Sequence, residues 1–254
     1  PIEKKYYFIY NKIQISRKER EKMNERIGII AAMDEEMREI EKIMQDKKEE
    51  MCWNLTFFLG KIGEKSCVLV KCGVGKVNAA RTTQILIDNY HVTTVINVGS
   101  AGALKKEINY GDIVIGEKLV QYDFDITAFG HPKGYISSTG RFFKSDLLLV
   151  KKANKMIEKI GENSYHAKIG VIATGDTFFT NKNPNQKIVK EFNADCVEME
   201  GAAIAQVCYL DNIPFLIIRS ISDVPNGRNE IDFYEYLEMA SRRCAIFIQA
   251  LLED

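Results

Sequence analysis

A chain of 254 residues, 46% hydrophobic and 28% charged, is long enough to bury one large core, and a single α/β domain of that length is ordinary. Lys+Arg and Asp+Glu each number 35, so no global basic field points to nucleic acid as a partner. No window has the run of apolar residues needed to span a bilayer, and the early apolar run at 6–10 is too short and too aromatic for a signal-peptide core.

Residues 1–25 stand apart as an arm crowded with Lys, Arg and Glu, expected to be weakly ordered or docked on the surface. Met23 is a natural start, and one domain is expected over 26–254. Residues 27–32, I-G-I-I-A-A, form a continuous apolar run, the pattern of a strand buried on both faces. A helix follows, with acids in its first turn, where the dipole favours them, and Met37, Ile40, Ile43 and Met44 at helical spacing. The pair delivers Glu36 near the carboxyl end of the first strand, where ligands sit in open α/β sheets.

Residues 55–62 and 66–71 are strand-like and join at Gly63-Glu64 as a hairpin. C-G-V-G-K at 72–76 opens a helix over 77–90. Such a loop either cradles an anion on backbone N–H groups or makes a tight turn, and its spacing is neither a P-loop nor a dinucleotide fingerprint. A strand over 93–98 ends in N-V-G-S-A-G, whose small residues permit close approach of a ligand or simply a turn. Another strand is expected at 111–115.

Residues 122–140 form an aromatic-containing loop, in which exposed Ile126 and Phe129 would mark a subunit contact. The three histidines lack metal-ligand spacing, so no metal is expected. Six scattered cysteines (Cys52, Cys67, Cys72, Cys196, Cys208, Cys244) lie among apolar neighbours without C-x-x-C spacing; they read as small buried hydrophobes, which fits a reduced cytoplasm.

A helix at 147–160 and a strand at 167–173 lead to T-G-D-T-F-F, whose Phe178 and Phe179 are either core anchors or a stacking surface for a planar heterocycle. Then comes D-C-V-E-M-E-G-A-A-I-A at 195–205: a short buried strand and a small-residue helix over 201–210. Between them stand Glu198 and Glu200, on one side if the extended geometry continues. Buried carboxylates need partners; the alternative is one helix cap and one solvated acid. The last central strand, 214–219, ends in Ser220-Ile221-Ser222-Asp223, and a helix over 233–252 closes the chain.

Alternating strands and helices make an α/β protein, with Glu36, Ser100, Glu200 and Asp223 converging on one rim. Three carboxylates, Arg219 at a strand end, a stacking pair and no cofactor motif suit cleavage of a glycosidic bond. That chemistry needs an acid for the leaving group, a base for water and groups that hold the sugar hydroxyls.

Six blocks then carry a resemblance: G-I-I-A-A-M-D-E-E at 28–36, K-C-G-V-G-K-V at 71–77, N-V-G-S-A-G at 97–102, T-G-D-T-F at 174–178, V-E-M-E-G-A-A at 197–203 and R-S-I-S-D at 219–223. In order and spacing the chain resembles the bacterial 5′-methylthioadenosine/S-adenosylhomocysteine nucleosidases of the purine nucleoside phosphorylase fold, over residues 26–254. The resemblance implies a three-layer α/β/α domain with a twisted mixed central sheet, a homodimer, and no cofactor. It implies that Asp223, assisted by Ser222, protonates purine N7, and that Glu36 activates water, with Arg219 and Ser100 nearby. Glu200 would take the ribose hydroxyls beside the Met199 backbone. Phe178 would stack on adenine while the Phe179 backbone reads its edge. Met33, Val74 and Phe233 would line the alkylthio pocket, closed by Ile126 and Phe129 of a second subunit. Glu198 and His131 are given no role.

Asp34 and Phe179 depart from the family's common glutamate and aliphatic residue. Three rivals stand beside this reading: futalosine-type hydrolysis, phosphorolysis, and a silent nucleoside-binding protein. Phosphorylases of the fold carry an arginine where this chain has Asn97, and the acids at 34–36 would repel phosphate. Glu36, Glu200 and Asp223 together favour an enzyme over a silent binder.

Overall fold

The computed structural model describes residues 25–160, 166–178, 183–225 and 230–253. Of the arm, all but Glu25 lies outside them. The first strand, β1 (Arg26–Ala31), has no polar face because neither face meets water: Ile29, Ile30 and Ala31 are wholly buried. Its alternate side chains enter two clusters. Ile27 and Ile29 join Ile40, Leu69, Ile96, Leu216 and Phe247, whereas Ile30 joins Val68, Leu86, Val95, Ile204 and Ile217. Each such side chain contributes roughly 1.5–3 kcal/mol on burial. The helices supply the covering surfaces: α1 (Asp34–Ile43) packs against the C-terminal α6 (Glu230–Glu253), and α2 (Lys76–Tyr90) against α5 (Gly201–Leu210).

The strands form one mixed, ten-stranded sheet among the described residues. Parallel pairing joins β1 to β4 (Lys65–Lys71) and to β5 (Thr94–Ala103). It also joins β5 to β10 (Phe215–Asp223). Antiparallel pairing joins β10 to β6 (Ile113–Gln121), which runs parallel to β8 (Ala167–Thr174). The short β7 (Phe143–Lys144) lies on β6, and β9 (Cys196–Glu198) joins β8 to the far end of β5. Strands β5, β10, β6, β8 and β9 thereby close a ring, while β1, β4, β3 (Leu55–Ile62) and β2 (Gln45–Cys52) extend the sheet from one side of it. The remaining helices are α3 (Leu147–Ile160) and α4 (Asn183–Phe192).

One consequence of this topology builds the site. Residues 94–97 of β5 pair with β1, and residues 102–103 on the same edge pair with β9. Among the described residues no strand pairs with that edge between them, so backbone groups there can meet a ligand or a side chain. This is the switch point at which open α/β sheets bind ligands.

The elements match the sequence expectations at most positions; α4 and the short β7 lie where no element is expected, and three other segments differ. The glycine-serine segment 97–102 does not turn but continues β5 to Ala103, since β10 pairs with it along its whole length. Strand β6 runs from Ile113 to Gln121 rather than over 111–115. The polar segment Gln45–Cys52 gave no strand signal, yet it pairs antiparallel with β3 through a two-residue turn, Trp53 and Asn54, both at positive φ. It is an exposed edge strand held by backbone bonds, with the charged side chains that blunt such edges. The six cysteines are free, five buried and Cys52 half-buried, as small hydrophobes. No helix of the described residues is long and apolar enough to cross a membrane.

Candidate functional site

A cavity of about 350 Å³ opens at this switch point. Glu36, on the first turn of α1, reaches back into the gap beside β5 and is 3% exposed. Its Oε2 accepts from the backbone N–H groups of Ala32 and Met33 at 2.9 and 3.2 Å. Its Oε1 accepts from Ser100 N at 2.8 Å and Ser100 Oγ at 3.0 Å. All four lone-pair directions of the carboxylate therefore face donors, and the only one that can rotate away is the serine hydroxyl.

Asp223 ends β10. The β10–β5 ladder slips between Ile221 and Asp223, so two residues oppose one, and the bulge aims the carboxylate into the cavity. The side chain occupies the space a side chain at Gly102 would need: a Cβ there would come within 2.6 Å of Asp223 Oδ2. Burial, chiefly, pushes the Asp223 carboxyl up from 3.8 to about 6. The charge of Asp232 adds to that rise, and a hydrogen bond from Ser222 Oγ to Oδ1 at 3.1 Å opposes it.

Glu198 and Glu200 do share a side, and their common partner is Arg219, which is fully buried. Glu198 forms the close ion pair; Glu200 Oε2 stands 3.6 Å from the same nitrogen. Arg219 also donates to Asn97 Oδ1 at 2.6 Å, and Asn97 in turn donates to the Ile30 carbonyl at 2.9 Å. The guanidinium lies over Gly99, where any Cβ would overlap it. Arg219 does not line the cavity but sits behind it, charge-balancing the carboxylates that do.

Glu198 further accepts from Glu200 N at 3.0 Å, Gly201 N at 2.7 Å and the Thr174 hydroxyl, so it anchors the start of α5. Glu200 accepts from Gly75 N at 2.8 Å, an N–H presented by a glycine at φ +99° before α2. Burial and then the neighbouring Glu198 charge push Glu200 up from 4.5 to about 8, against the opposing pull of Arg219 and Gly75 N–H.

The rest of the wall is apolar. Met33, Val74, Met199, Phe178 and Phe233 line it, the two rings meeting edge to face at 5.5 Å and 71°. Ser100, Ser222 and Thr177 supply hydroxyls. Among the described residues no Lys, Arg or His lines the cavity. Ile126 and Phe129 are not at this cavity: they belong to a 3-10 turn over Thr127–Phe129 and its cap, and Phe129 is 80% exposed. Phe179 lies outside the described residues. The sequence reading missed Glu198, Asn97 and Thr174 as members of the network. The two-residue spacing of Glu198 and Glu200 was its only visible signal.

The chain matches the model of the phosphorylase superfamily over residues 26–253. The 5′-methylthioadenosine/S-adenosylhomocysteine nucleosidase of Staphylococcus haemolyticus is 38% identical over 228 residues, covering 89% of this chain and 99% of that protein. Among solved structures, the 5′-methylthioadenosine/S-adenosylhomocysteine nucleosidase of S. pneumoniae with a transition-state inhibitor superposes with a TM-score of 0.84. It is 37% identical and covers 90% of this chain and 98% of that one. The native futalosine hydrolase of Helicobacter pylori gives 0.85 at 34% identity, over 91% and 98% of the two chains.

Proposed function

This chain belongs to the phosphorylase superfamily, and we infer that its cavity splits a purine nucleoside with water. The reaction is hydrolysis of the N-glycosidic bond of 5′-methylthioadenosine and S-adenosylhomocysteine, releasing adenine and the 5-thio-substituted ribose. We assign it to methionine salvage and to clearance of the by-products of S-adenosylmethionine. One observation carries hydrolysis over phosphorolysis: four carboxyl groups (Glu36, Glu198, Glu200 and Asp223) and no cationic side chain line the cavity among the described residues. Asn97, where a phosphorylase would have arginine, is buried with its amide used on Arg219 and Ile30. A phosphate dianion would find no cationic side chain on that lining to offset its charge.

In this reading Asp223 delivers a proton to purine N7, so that adenine leaves neutral; its raised pKa keeps a protonated fraction near neutral pH. Glu36 takes the proton from the attacking water. Ser100 Oγ is the donor free to yield its place on Oε1 to that water. Glu200 accepts from the ribose hydroxyls beside Met199. Positive charge developing on the sugar favours its ionised form, so the interaction strengthens in the transition state. Arg219 acts from behind by holding the carboxylates, Ser222 by orienting Asp223.

Phe178 faces adenine, and Met33, Val74 and Phe233 face the thioether. We assign Ile126 and Phe129 to the thioether pocket of a second copy of the chain, in a homodimer; exposure of a phenylalanine on a short turn supports this. The helices other than α4, divided between two apolar clusters, support a three-layer α/β/α arrangement, and the free buried cysteines support a cytoplasmic setting.

The test is incubation with methylthioadenosine, adenosylhomocysteine and a futalosine-type nucleoside, with and without phosphate, followed by chromatography of base and sugar. Free adenine and free thio-ribose, at a rate indifferent to phosphate, are expected. A sugar 1-phosphate as main product would end the hydrolase reading.

A further inference from the structure

Lys76 breaks a local rule. It is the first residue of α2, where a cation meets the positive end of the helix dipole, and no acidic residue shares that turn. Two carboxylates from elsewhere in the chain account for it. Lys76 Nζ donates to Asp123 Oδ1 at 2.7 Å, and lies 3.9 Å from Asp176 Oδ2. Lys76 N donates to Asp176 Oδ1 at 2.8 Å, and Asp176 N donates to Asp123 Oδ2 at 3.0 Å. Both oxygens of Asp123 are thus engaged, each by a different loop. The Lys76 and Asp123 side chains are only 19% and 28% exposed, so the ring of bonds is partly shielded from solvent.

The three residues come from three separate segments, two of them next to cavity-lining residues, and none of the three lines the cavity itself. Lys76 follows the loop that carries Val74 and the Gly75 N–H bound to Glu200. Asp176 precedes Thr177 and Phe178, which also line the cavity. Asp123 follows β6 and ties the two together. Tyr122, beside it, fills the space a Cβ at Gly175 would take, so that loop is packed as well as bonded.

We propose that Lys76, Asp123 and Asp176 form a latch that fixes the Phe178 segment against the loop before α2, and so act as positioning residues for the substrate's base. The proposal rests on the reading of this cavity as an adenosine site. It assigns the latch no part in proton transfer.

Asp123→Asn keeps shape but cannot keep both bonds. Its NH₂ must face either the Lys76 ammonium or the Asp176 N–H, donor against donor. Lys76→Met removes the same link from the other side, and Lys76→Arg preserves it. The probe is adenine itself, titrated by calorimetry, a readout that needs no turnover. Asp123→Asn and Lys76→Met are each expected to weaken adenine binding by about 3–10-fold, the scale of a partly shielded ion pair. The KM for methylthioadenosine should rise alike, kcat should change less, and the pH profile of kcat should keep its shape. Together the two substitutions should cost little more than either alone, because they break one link.

Thermal unfolding is followed in parallel. A lowered Tm with adenine affinity unchanged, or effects that simply add, overturns the latch. If the unaltered chain binds no adenine, the nucleosidase reading falls and the latch with it. If it binds adenine and both variants match it, the latch alone is wrong.

Discussion

Asp223 and Glu36 are both carboxylic acids in one cavity, yet the reaction asks the first to hold a proton and the second to take one. Their surroundings differ accordingly: Glu36 is ringed by four donors, whereas Asp223 has one serine hydroxyl and an otherwise desolvated seat. Only protonated Asp223 can act as acid, so kcat/KM should fall as pH rises through about 6. Asp223→Asn should lose about 10²–10⁴-fold in kcat while still binding adenine. Steady-state kinetics of that variant beside adenine calorimetry checks it, and near-normal kcat would place the proton donor elsewhere.

Glu200 and Asp223 also make a stability prediction. Their folded values, about 8 and about 6, lie above the ordinary 4.5 and 3.8. The folded state therefore holds protons that the unfolded chain has released. The stabilisation is complete below about pH 4 and is lost as pH rises through the two folded values, at up to about 1.4 kcal/mol per pH unit for each group. Urea midpoints should fall between pH 5 and 8, and Glu200→Gln should flatten that fall. An unchanged slope in the variant would show that Glu200 titrates normally.

At the scale of elements, the site is a product of how β5 changes neighbours. Its free edge admits Glu36, its other edge aligns Arg219 and Asp223, and its glycines leave room for both. Gly99→Ala puts a methyl group into the Arg219 guanidinium; it should destabilise the fold by about 1–3 kcal/mol in urea titration, the cost of overpacking a rigid core. Gly102→Ala meets the Asp223 carboxyl group, a side-chain end that can turn. It should therefore lower kcat more than stability. A Gly99→Ala protein as stable as the parent would mean that Arg219 can leave its seat.

At the scale of the whole molecule, Phe129 has no role in its own cavity and is 80% exposed. Phe129→Ala should raise the KM for thioether substrates several-fold, leave adenine affinity unchanged, and leave Tm within about 1–2 °C, as for surface substitutions. Sedimentation of the unaltered chain should show a dimer. An active monomer of normal KM would remove Ile126 and Phe129 from the site.

Much of this was legible in the sequence for a local reason. Strands buried on both faces must be apolar throughout, helices must show their period, and in an α/β chain the residues after each strand gather at one rim. That logic alone brought Glu36, Ser100, Glu200 and Asp223 together, and the cavity is lined by all four. What pattern could not reach depends on partners far along the chain. The edge strand Gln45–Cys52 has no apolar signature because backbone bonds to β3 hold it. Glu198 became intelligible only beside Arg219, 21 residues on, and Asn97 only beside the same guanidinium, 122 residues away. The charge states of Glu200 and Asp223 belong to the fold as well. Composition supplies the carboxyl groups, but packing removes their water and sets a neighbouring charge against them, and a pKa is the free energy of that environment.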